Sequence, residues 1–130
     1  MEDVFYFTKS EIRLEDIGAV ATATGFFIDH RERPSGLELV VSTSEKLHST
    51  WWSFGSEYSP FDPLPNARIK TYQPVSSFMV TYSLTDTLDV AMLLEQVLMA
   101  YGGWIGLDDD MITIFDSSNI YDLTAASLNF

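Results

Sequence analysis

The sequence predicts an α+β fold, a two-layer sandwich in which two helices pack on one face of a mostly antiparallel sheet. Short apolar runs bounded by turn residues recur along the chain, as is typical of strands. Only two segments have apolar residues at helical spacing, and long runs of strands separate them. The length of 130 residues fits a single domain spanning residues 1–130.

The chain opens with an apolar run, Val4–Phe7, that predicts a buried strand. A helix is predicted next, because Ser10 and Glu11 supply helix-start chemistry and Gly25 is a natural stop. The apolar residues at helical spacing between them are Leu14, Ile17, Val20 and Ala21.

Strands are predicted to dominate the middle of the chain. The polar segment Arg31–Ser35 contains a proline and is predicted as a hairpin connection, while the proline-rich segment Gly55–Ala67 is predicted as a loop. The predicted strands are Phe26–Ile28, Leu37–Val41, Thr50–Phe54, Arg68–Tyr72 and Ser77–Tyr82.

The second helix is the clearest element. It is predicted to begin at a cap formed by Thr85 or Asp86 and to run to Tyr101, where Gly102 and Gly103 end it. Its apolar residues cover well over half of its circumference, which indicates packing on the sheet and a further apolar contact. They are Leu88, Ala91, Met92, Leu94, Val97, Leu98 and Tyr101.

A hairpin of Trp104–Leu107 and Met111–Phe115 is predicted after this helix, and Asn119–Leu123 is predicted as an edge strand.

Charge is distributed unevenly along the chain. The formal net charge is −12, from 19 acidic and 7 basic residues. No lysine or arginine follows Lys70, whereas eight carboxylates do. A segment without cations cannot neutralise itself through internal ion pairs, so its field faces water, a metal or a basic partner.

The acidity disfavours nucleic acid and anionic membranes as ligands, because both are normally bound by lysine and arginine. The absence of cysteine excludes disulfides and thiolate metal sites. The acidic N-terminus lacks the pattern of a signal peptide, and the apolar runs are too short to span a bilayer. We therefore expect a cytoplasmic protein that has no cofactor.

Two sets of residues are predicted to contact a partner. The consecutive carboxylates Asp108, Asp109 and Asp110, with Asp116 across the hairpin, form an acidic turn that could be a plain solvated turn, a cation site or a contact for a basic partner. The turn lacks the glycine and the terminal glutamate of a calcium loop, so we predict no metal.

The second set lies in the aromatic and proline-rich stretch. Trp52 and Tyr58 with Glu57 and Asp62 have the composition of an interface with aromatic anchors and an acidic rim. The alternative interpretation is that most of the aromatic residues between Trp51 and Phe61 are buried in the core.

Catalysis has no positive signal in the sequence, and we predict no catalytic residue. There is no nucleophile elbow and no glycine-rich phosphate loop. His30 and His48 are the only side chains suited to be general bases near neutral pH. We expect both to be half-exposed; a small enzyme that uses either one with carboxylates is the alternative.

The layout of the chain resembles the small immunity proteins that bacteria encode beside polymorphic or contact-dependent toxins. The resemblance lies in the opening strand and acidic-capped helix, Phe5–Val20, and in the late apolar helix that runs into Tyr101–Asp109. It implies stoichiometric inhibition of a basic toxin, such as a nuclease, without catalysis or cofactor. A homodimeric host or phage adaptor, paired through the second helix, is a third hypothesis.

Overall fold

The computed structural model describes residues 2–34, 36–44, 46–55, 74–106 and 114–123. Within these ranges the chain forms seven strands and two helices, with a short 3-10 turn, Leu84–Asp86, before the second helix. The elements are β1 (Glu2–Thr8), α1 (Leu14–Thr24), β2 (Phe27–Arg33), β3 (Gly36–Ser42), β4 (Leu47–Gly55), β5 (Ser76–Tyr82), α2 (Thr87–Tyr101), β6 (Trp104–Gly106) and β7 (Ile114–Phe115).

The strands form one antiparallel sheet in the order β2-β3-β4-β5-β1-β6-β7. The strand that opens the chain therefore lies between β5 and β6. Both helices pack on the same face of this sheet, α1 over β2 to β4 and α2 beside α1 and over β4. The predicted α+β architecture, with two helices on one face, is confirmed.

The core lies between the helices and this face of the sheet. Leu39, Trp51, Val80 and Val4 pair in that order across four strands, and all four are fully buried. On the next row, Tyr6 of β1 stacks on Phe78 of β5, with 6.0 Å between ring centroids. Alternation of apolar and polar residues along each strand thus places the large side chains under the helices.

The other face of the sheet also carries aromatic residues. Phe7 stacks against Phe5 and against Trp104 of β6, with ring centroids 6.5 and 6.1 Å apart. Both phenylalanines are buried. Trp51 and Trp52 point to opposite faces, and Trp52 is half-buried between Glu38 and Met79 of the neighbouring strands.

Both predicted helices are confirmed, as is the end of each. Gly25 ends α1 in the left-handed conformation, with φ of 102°. The backbone N–H of Gly102 donates to the carbonyl of Leu98 at the end of α2. Asp86 occupies the predicted cap position, but its side chain makes no capping hydrogen bond.

The hairpin between β2 and β3 is confirmed, but its connection is shorter than the predicted Arg31–Ser35, because β2 continues to Arg33, which pairs with Gly36. Arg31 and Arg33 lie on the same side of β2 and pair with Glu38 of β3, which allows a polar segment to extend the strand.

The predicted edge strand at Asn119–Leu123 was wrong, since a turn occupies residues 117–121. Asp116 Oδ1 accepts from the N–H of Ser118 at 2.9 Å, and Asn119 Oδ1 accepts from the N–H of Asp116 at 2.7 Å. These side-chain bonds close a turn at the expense of a strand. The predicted strand Arg68–Tyr72 lies outside the described residues.

Candidate functional site

An apolar stripe runs along the outward face of α2. Leu88, Met92 and Met99 are 57%, 42% and 68% exposed. Their spacing places them within about 40° of one another around the helix and over about 16 Å of its length. Single apolar residues scattered over a surface are normal on any protein. Three that lie in one line form a contiguous apolar patch, which indicates a contact site.

The stripe exists because apolar residues surround most of α2. The inward arc is buried against the sheet and α1; it contains Val90, Ala91, Leu93, Leu94, Val97 and Leu98. This arc already supplies the contacts that hold the helix. The three residues of the stripe are therefore surplus to the packing of α2.

The turn that follows β7 extends this surface. Ile120 and Leu123 are fully buried and anchor the turn, while Tyr121 is 43% exposed. The Tyr121 hydroxyl donates to Oε1 of Glu95 on α2 at 3.3 Å. Slight burial and the Glu95 carboxylate raise the pKa of Tyr121, so the hydroxyl keeps the proton that it donates. We call Leu88, Met92, Met99, Glu95 and Tyr121 the α2 surface.

Carboxylates lie within the α2 surface and next to it. Asp89 and Glu95 belong to the helix, and Asp116 and Asp122 belong to the adjoining turn, where both are exposed. Hydrogen bonds from the hydroxyl and N–H of Ser118 lower the pKa of Asp116 and keep it ionised. No lysine or arginine follows Lys70 in the sequence, so none of these elements supplies a cation of its own.

This arrangement suits a protein contact better than a small-molecule site. Exposed methionine and leucine provide apolar area that adapts to the shape of a partner, and the tyrosine adds a hydroxyl that can form hydrogen bonds. The carboxylates among and beside these residues select a partner that carries positive charge. Sites for small ligands are usually enclosed clefts, whereas the stripe lies on the outer side of a single helix.

The structure describes two of the eight predicted partner contacts. Asp116 lies on the turn beside α2, whereas Trp52 lies on β4 on the far face of the sheet. Three strands separate them, or about 19 Å across the sheet, so they do not form one patch. Outside the described residues lie Glu57, Tyr58, Asp62, Asp108, Asp109 and Asp110.

The expectation of two half-exposed histidines was wrong for His48, which is buried. Its ring lies 4.6 Å from that of Phe26, and Nδ1 lies 2.9 Å from the Ser49 hydroxyl. His30 is exposed on β2. His48 lies on β4, two strands away from β2, and about three residues further along the strand than the residue level with His30. These offsets separate the two histidines by on the order of 14 Å, so they do not share a site.

His30 lines a groove of about 310 Å³ between the start of α1 and the outer strands. Glu15 and Arg13 also line it, and their side chains pair with each other at 3.7 Å. The backbone N–H of His30 donates to Oδ1 of Asp29 at 2.8 Å, but among the described residues its ring forms no hydrogen bond with a carboxylate. The described residues also contain no group of three or more His, Cys, Asp or Glu side chains suited to hold a metal ion. None of the helices in the described ranges is long and apolar enough to cross a membrane.

Comparisons with known proteins give no further assignment: no family model matches the chain, and neither does any curated protein or solved structure. The residues of the α2 surface were not among the predicted site residues. The signal that could have found them is the excess of apolar residues around the second helix. That excess predicts a further contact but does not identify which residues face outward.

Proposed function

We propose that this chain is an acidic binding protein that inhibits a basic protein partner, namely an immunity protein that neutralises a cognate bacterial toxin in the cytoplasm. The proposal depends above all on the exposed apolar stripe of α2 and the carboxylates among and beside its residues. An enzyme that cleaves nucleic acid has a cationic cleft, because it must bind phosphates. An acidic surface is attracted to such a cleft and can cover it.

The apolar and charged parts of the α2 surface have different roles in this mechanism. Long-range attraction between the carboxylates and a cationic cleft increases the association rate. The stripe then desolvates against the partner and determines how slowly the complex dissociates. Inhibition follows from occupancy of the cleft, so the inhibitor needs no general base.

The first experiment measures binding kinetics and protection from growth arrest against the product of a toxin gene that adjoins the gene for this chain. Met92→Lys, at the centre of the stripe, should raise Kd at least tenfold, mainly through faster dissociation. Leu37→Lys is the matched control, because Leu37 is 47% exposed on β3, away from α2. The proposal is wrong if both variants bind and protect like the wild type.

The second experiment tests the charges. Replacement of Asp89 and Glu95 by Asn and Gln should slow association and weaken its dependence on salt, because exposed charges are screened over about 8–10 Å. The same change is expected for Asp108, Asp109 and Asp110 replaced together by Asn. An unchanged on-rate and salt slope in both variants would show that the carboxylates do not steer a partner.

A further inference from the structure

The strand β2 is the outer edge of the sheet, and among the described residues no strand pairs with its open side. It ends the strand order, and all seven of its residues are exposed. In an antiparallel pair, alternate residues of the outer strand direct their N–H and C=O groups away from the sheet. A seven-residue edge of this kind is a template for another strand.

Two usual protections of an edge strand are missing from β2. It contains no proline, since Pro34 comes after its last residue, and its register with β3 is continuous from Phe27 to Arg33 without a bulge. At the opposite edge of the sheet, the described part of β7 has two residues. In the described part of the sheet, β2 is therefore the edge that can accept a full strand.

The charges of β2 are complementary to themselves. In a dimer with a two-fold axis at this edge, β2 of one copy pairs antiparallel with β2 of the other copy. The residue on the axis then lies opposite the same residue of the second copy. With His30 at the axis, Asp29 lies opposite Arg31 of the second copy, and this pair occurs twice. An axis at Asp29 or Arg31 would place like charges opposite each other, which is destabilising.

The register centred on His30 also uses the whole strand. His30 is the middle residue of β2, so every residue from Phe27 to Arg33 gains a partner. Phe27, which is 61% exposed, would lie opposite Arg33 of the second copy. The aliphatic part of that arginine can cover the exposed ring.

An existing ion pair would become part of a network. Arg31 Nη2 lies 2.8 Å from Oε1 of Glu38, and Arg33 Nη2 lies 3.6 Å from the same oxygen. Asp29 of the second copy would approach Arg31 from its open side. Arg31 would then lie between two carboxylates, in the kind of network that contributes more than an isolated surface pair.

We propose that two copies of this chain associate edge to edge through β2, about a two-fold axis at His30, to form one continuous antiparallel sheet. This interface is separate from the α2 surface, and the proposal does not depend on the proposed function. The same surface serves both copies, as in most symmetric dimers.

The first test is the mass of the purified protein by sedimentation equilibrium over a range of concentrations. The mass should rise from 14.7 kDa toward twice that value. Asp29→Arg should shift the dimer toward monomer by at least tenfold in Kd, because it places two arginines opposite each other. Met92→Lys on α2 is the matched control and should dimerise like the wild type.

The second test fixes the register. The chain has no cysteine, so His30→Cys introduces a single thiol that lies opposite its own copy at the axis. Directly opposite residues are close enough for a disulfide, and mild oxidation should give a covalent dimer. Phe27→Cys is the control, since its two thiols would be about 20 Å apart, and it should stay uncrosslinked.

Three results would overturn the proposal. These are a wild type that stays monomeric at every concentration, a dimer that Met92→Lys abolishes and Asp29→Arg leaves intact, and equal crosslinking of the two cysteine variants. Because both cysteine positions are exposed, these variants are expected to keep the fold.

Discussion

Lys46 and Asp86 form an ion pair between the β3–β4 turn and the start of α2, with 2.6 Å between Nζ and Oδ1. The lysine side chain is half-exposed, whereas the aspartate side chain is only 5% exposed. The pair therefore compensates a buried carboxylate at the point where α2 begins.

We expect Lys46→Met to lower the free energy of unfolding by about 1–3 kcal/mol, because it leaves a buried charged group without this partner. Adding Asp86→Asn should recover part of the loss, since an amide is less costly to bury than a carboxylate. Urea unfolding of the single and double variants measures both effects. Lys9→Met is the control, because Lys9 is exposed and forms none of the ion pairs found between described residues. A double variant that is no more stable than Lys46→Met would contradict the assignment.

The end of α2 is held against β1 by a second set of contacts. The Tyr6 hydroxyl donates to the carbonyl of Gly102 at 2.7 Å, and the Thr8 hydroxyl donates to the carbonyl of Tyr101 at 2.9 Å. Burial raises the pKa of Tyr6 to about 12, so its hydroxyl stays a donor over the ordinary pH range. The last carbonyls of the helix, which lack partners within it, are satisfied in this way.

Gly103 follows with φ of 94°, and a Cβ at this position would overlap the carbonyl oxygen of Phe7 and contact Thr8. We expect Gly103→Ala to cost about 2–4 kcal/mol, because positive φ and the clash with β1 act together. Gly102→Ala is the matched control: Gly102 also has positive φ, but the added Cβ would meet open space, so the cost should be about 1–2 kcal/mol. Thermal or urea unfolding compares the two variants, and equal costs would show that the close approach to β1 adds nothing.

Local patterns were sufficient to predict most elements, because periodicity and glycine are local signals. They predicted β1, both helices and the glycines that end them. The local patterns failed where a side-chain contact altered the secondary structure that the sequence pattern favours. The arginines of β2 extend a strand only because Glu38 lies opposite on β3, and Asp116 and Asn119 close a turn in place of a strand.

The candidate site was less predictable than the fold. The excess of apolar residues on the second helix is visible in the sequence, but only the packed structure shows that Leu88, Met92 and Met99 face outward. The burial of His48 likewise depends on Phe26 and on the start of α2, which are distant in sequence. Trp52 and Asp116 were predicted as parts of two separate sets, and the sequence contains no information on the distance between them.

His48 makes a further prediction about pH possible. Its Nδ1 lies 2.9 Å from the Ser49 hydroxyl, and that oxygen also accepts from the Trp51 indole N–H at 3.1 Å. The Ser49 oxygen thus links the His48 ring to the Trp51 indole inside the protein. Burial lowers the pKa of His48 from the ordinary value of 6.5, and the nearby backbone of Asp89 and the carboxylates of Asp89 and Asp86 only partly oppose this shift.

The lowered pKa makes the folded state less stable in acid. Below pH 6.5 the unfolded chain takes up a proton at His48 before the folded protein does, so stability falls as the pH falls through this window and is fully restored above it. His48→Gln should flatten this part of the profile, when urea midpoints are measured between about pH 5.5 and 7.5. His30→Gln is the control at an exposed position and should keep the slope of the wild type. If His48→Gln keeps that slope and His30→Gln loses it, the titration does not belong to the buried ring.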